Sequence, residues 1–183
     1  WTIGDMNWFD SINHALTTMP TGGFSTYDAS IGHFDSYTVE LIIILFMFIG
    51  GINFTLLWFI REGQFKKATQ DEEFKNYIVY ILTTFLFITI ALLATRDYSS
   101  KDAFIDSLFH VVSLGTSTGY TSTDYMQWPV VTHLFLFVLM IVGASAGSTS
   151  GGLKLLRINL AFKVAMRELV RIAQPRKVQT IRM

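Results

Sequence analysis

Two stretches of this chain align without a gap at an offset of 96 residues, and that alignment limits what the sequence can fold into more than any other feature. Phe9-Asp10-Ser11-Ile12-Asn13-His14 falls on Ile105-Asp106-Ser107-Leu108-Phe109-His110. Further along, Thr21-Gly22-Gly23-Phe24-Ser25 falls on Ser117-Thr118-Gly119-Tyr120-Thr121, Asp28 on Asp124, and Gly51 on Gly147. Self-similarity on this scale predicts two stacked or pseudo-symmetric copies of one unit. Each copy reads as a short helix, a Ser/Thr-x-Gly-aromatic turn, and a long apolar segment.

Those apolar segments set the solvent. Val39–Ile60 holds one ionisable residue, Glu40, in about 22 positions, and Tyr77–Ala94 adds about 18 without charge. Roughly 20 apolar residues cross a bilayer as a helix. Val130–Val142 is shorter and runs into Gly143–Gly152, ten residues drawn only from Gly, Ala, Ser and Thr. A helical pattern resumes from Leu153 to Ala173, so this reads as a span broken in its middle. Asn7–Thr18 and Asp102–Leu114 are too short to cross and read as re-entrant helices, the second with Asp102 as a candidate N-cap. Charged residues make up 15% of the chain, against roughly 25% in soluble domains, which fits a lipid-embedded protein.

The predicted fold is all-α, built from membrane-pore-membrane units, two of an expected four. Residues 1–62 supply the pore helix, turn and second span of one unit, and 63–75 a cytoplasmic loop. Residues 76–175 form a complete following unit, and 176–183 a cytoplasmic tail. A start at Trp1, with no signal-peptide pattern, reads as part of a longer polypeptide. Arg61–Lys75 holds four Lys or Arg and Lys154–Arg182 holds eight, while Arg96 and Lys101 alone fall on the other side. The positive-inside rule therefore assigns both basic regions to the cytoplasm. Asp5, Asp10, Asp28, Asp35, Asp97, Asp102, Asp106 and Asp124 gather on the opposite face, as a cation-attracting mouth or as a solvated loop surface. Formal net charge is zero, which gives no case for nucleic acid, and the absence of cysteine excludes disulfides and thiolate metal sites.

Irregular backbone at membrane depth is tolerated only inside protein or beside a water-filled path. Glycine admits backbone angles that let successive carbonyls face one way, and carbonyls so placed replace a cation's hydration shell. Thr21, Gly22, Gly23 and Phe24, with Ser117, Thr118, Gly119 and Tyr120, are therefore the candidate ion-binding residues, through their backbone oxygens. An ordinary C-cap glycine explains one such turn; two in register after equivalent helices favour a filter. Gly143, Ala144, Ser145, Ala146, Gly147, Ser148, Thr149, Ser150, Gly151 and Gly152 form a poor helix and are the candidate gate. A small-residue packing surface is the alternative reading for them.

Three strings then carry a family resemblance: Thr-Gly-Gly-Phe-Ser-Thr (21–26), Thr-Ser-Thr-Gly-Tyr-Thr-Ser-Thr-Asp (116–124) and Ala-Gly-Ser-Thr-Ser-Gly-Gly-Leu-Lys (146–154). They resemble the Trk/Ktr/HKT superfamily of potassium transporters, closest to its bacterial TrkH/TrkG branch. Ala-Gln-Pro-Arg-Lys-Val (173–178) also fits the end of that family's third repeat. The resemblance implies the second and third of four repeats around one path, with Gly23 and Gly119 as filter glycines and Gly143–Gly152 as the intramembrane gating loop. It further implies potassium uptake across the cytoplasmic (inner) membrane by a multi-pass protein. No cofactor is implied beyond potassium as substrate. The partners implied are a second copy, in a homodimer, and a cytoplasmic nucleotide-binding regulatory subunit. Sodium or non-selective monovalent cation transport stays open as an alternative.

Other classes are weaker. Gly143-Ala144-Ser145-Ala146-Gly147 matches G-x-S-x-G, but that motif works on a strand-to-helix elbow, and no α/β alternation surrounds it. His14, His33, His110 and His133 lack metal-ligand spacing, and the repeat-related pair suits packing. The basic, amphipathic helix predicted over Lys154–Arg182 suits an interaction module on anionic lipid or a partner.

Overall fold

The structure is a computed structural model that describes residues 6–95 and 98–173. Asp5, Arg96, Asp97 and the predicted tail over 176–183 lie outside the described residues, as do the basic residues beyond Ala173. Eight α-helices follow one another among the described residues: α1 (Trp8–Thr18), α2 (Tyr37–Gly50), α3 (Phe54–Arg61), α4 (Phe65–Gln70), α5 (Glu72–Ala94), α6 (Ser100–Gly115), α7 (Val130–Ile141) and α8 (Leu155–Ala173). Short 3-10 turns at Ser30–Phe34 and Tyr125–Gln127 follow the two glycine turns. A single isolated bridge, Val142 to Leu153, is the only extended pairing among these residues.

Local chemistry sets the helix ends. Asn7 caps α1 by accepting from the Asp10 amide at 2.8 Å, and Asp71 caps α5 by accepting from Phe74 N at 2.7 Å. Glu72 and Glu73 in the first turn of α5 suit its dipole. Ser99, not the expected Asp102, holds the N-cap position of α6, because the helix begins three residues earlier; Asp102 lies in its first turn and accepts from Tyr37 Oη at 2.6 Å.

Helix α6 is the centre of the packing, enclosed by α2, α5 and α7. Its last seven residues, Phe109–Gly115, are all buried. Its repeat counterpart α1 packs on α2 and leaves Trp8, Phe9, Ile12 and Leu16 exposed. α5, at 23 residues, is long and apolar enough to cross a bilayer, and only 33% of its most apolar window is buried. Leu82, Leu86, Ile90 and, on α7, Val131, Leu134 and Phe137 also face outward. An apolar belt of this extent on a water-soluble surface would be unusual.

Val39–Ile60 is not the one continuous span that its composition predicts. The chain breaks after Gly50, and α3 leaves at 103° to α2. Consecutive glycines are poor helix formers, Asn53 restarts the helix by capping Thr55 N at 2.9 Å, and the open backbone groups find partners in the 143–152 segment. Both repeats thus break at the positions that the offset aligns, Gly51 and Gly147. The loop predicted over 63–75 likewise contains a helix, α4, and the first residues of α5.

The Gly51 break packs on the fully buried Tyr77, whose ring stacks on Phe48 with centroids 5.1 Å apart. A Cβ at Gly51 would lie 2.4 Å from Tyr77 Oη and 3.0 Å from Thr116 Cγ2. Gly51→Ala is therefore expected to destabilise by about 1–3 kcal/mol. Adding Tyr77→Phe, which removes the nearest clashing atom, is expected to recover part of the loss in thermal melting of the detergent-purified protein.

Candidate functional site: two glycine turns and a small-residue loop

Each short helix ends by offering one carbonyl to two successive amides. The carbonyl of Thr17 accepts from Gly22 N at 2.8 Å and Gly23 N at 3.3 Å, and Ser113, 96 residues on, accepts from Thr118 N at 2.8 Å and Gly119 N at 3.3 Å. Thr21 N reaches Thr18 O and Ser117 N reaches Leu114 O, both at 3.0 Å. The hydroxyls complete the match, with Thr17 Oγ1 donating to Phe24 O at 2.9 Å and Ser113 Oγ to Tyr120 O at 2.7 Å.

Closing so tightly drives φ positive at Thr21 (53°), Gly23 (67°), Ser117 (57°) and Gly119 (86°). Glycine takes this region freely, whereas for the β-branched Thr21 it costs on the order of 1–3 kcal/mol. A trans peptide carries its C=O antiparallel to the next N–H. With the Gly22 and Gly23 amides aimed at Thr17, the Thr21 and Gly22 carbonyls point away from the end of α1. Ser117 and Thr118 repeat this at α6. Among the described residues, none of these four oxygens accepts a hydrogen bond. The C-terminal ends of α1 and α6, with their partial negative charge, sit directly behind them.

The two turns touch. A Cβ placed on Gly23 would lie 1.8 Å from Thr118 O. Tyr120 is fully buried, and its hydroxyl lies 2.5 Å from Thr17 Oγ1. Beyond it, Thr121 O accepts from Ile31 N at 3.0 Å and Gly32 N at 3.2 Å, joining the exit of the second turn to the loop after the first. In that loop Thr26 and Tyr27 donate to the buried Asp10 carboxylate at 2.7 and 3.0 Å, which pushes the Tyr27 hydroxyl above its ordinary pKa.

Residues 143–152 form a non-helical loop whose two ends meet. Gly143 N donates to Leu153 O and Leu153 N to Ile141 O, each at 2.9 Å. Ser145 N and Thr149 N donate to Gly51 O and Gly50 O at 3.2 Å, and Phe54 N donates back to Gly147 O at 3.1 Å. Thr149 Oγ1 reaches Met19 O at 3.2 Å beside the first turn, while Gly151 stands 3.5 Å from Ser117 Cβ in the second, measured from where its own Cβ would be. Two charged residues hold the loop: Glu73 accepts from Ala146 N at 2.5 Å, and the Lys154 ammonium donates to Ser150 O and, at 3.4 Å, to Ser148 O. Ser145, in the G-x-S-x-G string, is fully buried, and among the described residues its Oγ has no hydrogen-bond partner.

The sequence and the overall fold have known counterparts. The family profile described as TrkH, cation transport protein, matches residues 3–96 and 74–183. The chain belongs to that family. Over its whole length it is 41% identical to the Trk system potassium uptake protein TrkH of Vibrio parahaemolyticus, and over 99% of its length 32% identical to TrkG of Escherichia coli. It spans 38% of the length of each of these relatives. The crystal structure of the potassium transporter TrkH from Vibrio parahaemolyticus superposes with a TM-score of 0.91, at 41% identity, over 97% of this chain and 39% of that one.

Of the remaining sequence-predicted residues, Asp124 caps the 3-10 turn through Met126 N at 3.1 Å, and Asp28 is exposed. His14 and His110 take the expected packing role: both are buried, and Nδ1 donates to Asp10 O at 2.8 Å and to Asp106 O at 2.9 Å. Sequence reasoning missed Thr17 and Ser113, although both carry a hydroxyl at the same repeat position. It missed Glu73 entirely, because nothing in the sequence ties the start of α5 to Ala146.

A Cβ on Gly22 would come no closer than 3.5 Å to any atom, and its repeat counterpart Thr118 already carries a side chain. Gly22→Ala is expected to change stability by less than about 0.5 kcal/mol. Gly23→Ala meets an immovable carbonyl and a positive φ together, and is expected to cost roughly 3 kcal/mol or more. Thermal melting of the two variants, side by side in detergent, checks the contrast.

Proposed function

We propose that this chain supplies two neighbouring turns of a potassium-selective filter, in a multi-pass protein of the cytoplasmic membrane that carries potassium into the cell. The observation that carries the reading is the pair of repeat-related turns, each with two unpartnered carbonyls facing away from a helix C-terminus. Carbonyl oxygens held in this way replace the hydration shell of a permeating cation, and the helix ends favour positive charge. The relatives' names as potassium uptake proteins support the choice of ion. Flow is passive and inward, driven by the membrane potential, with no covalent step.

Two units do not close a ring. The point a Cβ would occupy on Gly23 is filled by Thr118, whereas the same point on Gly119 has nothing within 4 Å. Phe24 is 75% exposed where Tyr120 is fully buried. Both open faces suit further turns of the same kind, in keeping with four repeats of the membrane-pore-membrane type. The loop over Gly143–Gly152 is the gate in this account, joined to the Gly50–Gly51 break and touching both turns. α8, with Leu156, Phe162, Met166, Leu169 and Ile172 exposed among basic residues, suits the cytoplasmic side, where a nucleotide-binding regulatory subunit and the second copy of a homodimer would engage.

The test is tracer rubidium and sodium uptake into proteoliposomes holding the full-length protein, wild type beside Gly119→Ser. Rubidium is expected to enter in preference to sodium, and the variant to lose that preference. Equal entry of both ions, unchanged in the variant, would place selectivity elsewhere and favour non-selective cation transport.

A further inference from the structure

We infer that the Tyr120 side chain is a specificity-determining strut, a cross-link through which the second turn fixes the width of the first. The inference rests on the filter reading above but concerns a side chain, where that reading concerns backbone oxygens.

Tyr120 is held at both ends by different repeats. Its carbonyl accepts from Ser113 Oγ at 2.7 Å within its own turn. Its hydroxyl crosses to the first repeat, 2.5 Å from Thr17 Oγ1 and 3.4 Å from Thr18 Oγ1, His14 O and Phe24 O. The ring lies against His14 at a centroid distance of 5.9 Å, and none of the residue is exposed. Thr17 is the residue whose carbonyl gathers the Gly22 and Gly23 amides and whose hydroxyl lies 2.9 Å from both Phe24 O and Asn13 O. The phenol therefore grips the tether of the neighbouring turn. Whichever oxygen gives the shared proton, the chain of hydroxyls ends on a carbonyl of the first repeat, and its hydroxyls belong to residues that are buried (Tyr120, Thr18) or half-buried (Thr17).

The consequence for ion choice follows from where this strut stands. It spans the seam at which Gly23 meets Thr118, so it resists both collapse and widening of the two turns relative to each other. Whether carbonyl sites select by cavity size or by the number and field of their dipoles, the spacing must be kept against the pull of a smaller ion. Phe24, the repeat counterpart, has the ring without the hydroxyl, so the strut is specific to the second turn.

The experiment compares rubidium and sodium uptake for Tyr120→Phe, Thr17→Val, the double variant and Thr17→Ser in full-length protein in liposomes. Each of the first two is expected to lower the preference for rubidium about fivefold, the usual worth of one hydrogen bond. The double variant is expected to lose less than the product of the two single losses, because the Tyr120–Thr17 contact is removed in both, and Thr17→Ser, which keeps the hydroxyl, to retain the wild-type preference. An unchanged preference in both single variants, or losses that multiply in the double, would overturn the strut. Should Tyr120→Phe fail to assemble, Thr17→Val against Thr17→Ser decides the question. Gly119→Ser run in parallel separates the two levels: loss of preference there alone leaves the filter standing without the strut, and no loss in any variant removes both.

Discussion

The structure turns on one backbone arrangement, a helix-terminal carbonyl that accepts two successive amides. At Thr17 and at Ser113 this bond pair stops the helix, folds the chain back, and sets positive φ at the first and third residues of the turn. The strain at Thr21 and Ser117 is tolerated because amides and hydroxyls hold the turn from several directions. Peptide planarity then sends two carbonyls the other way. Free oxygens backed by a helix C-terminus are costly in an apolar setting unless water or a cation meets them. In the proposed reading, cation binding and fold are the same constraint.

The second dependence is mutual. A break in α2–α3 leaves the Gly50 and Gly51 carbonyls open, and a break between α7 and α8 leaves amides open. Placed together, Ser145 N and Thr149 N satisfy those carbonyls, and Phe54 N satisfies Gly147 O. Each unpaired buried group would cost about 1–3 kcal/mol, so neither break is stable without the other or without water. A loop sewn in by these bonds, by Glu73 and by Lys154 moves only when several partners are replaced at once. This suits the gate proposed for it more than a flexible linker.

Much of this was legible in the sequence, and what was legible came from the repeat. The ungapped offset located both turns, both histidines and the equivalence of Gly51 with Gly147, and the 143–152 composition announced the break before α8. The same offset also held the missed break at Gly51. Apolar length alone read Val39–Ile60 as one span, because hydropathy does not register that two glycines and a capping asparagine lie inside it. Contacts between repeats were not legible. Nothing local in Tyr120 points to Thr17, and nothing in Glu73 points to Ala146, because those pairings exist only once the two units are packed. The start of α6 was misplaced for a simpler reason: Ser99, Ser100 and Asp102 are all good caps within one turn of one another.

The central claim is that the Thr21, Gly22, Ser117 and Thr118 carbonyls are the cation ligands. Anomalous diffraction from crystals of the full-length protein grown with rubidium or thallium tests it directly. The account predicts an anomalous peak in direct coordination contact with these four oxygens. A peak only elsewhere along the protein, with these oxygens bonded to protein groups instead, would contradict it.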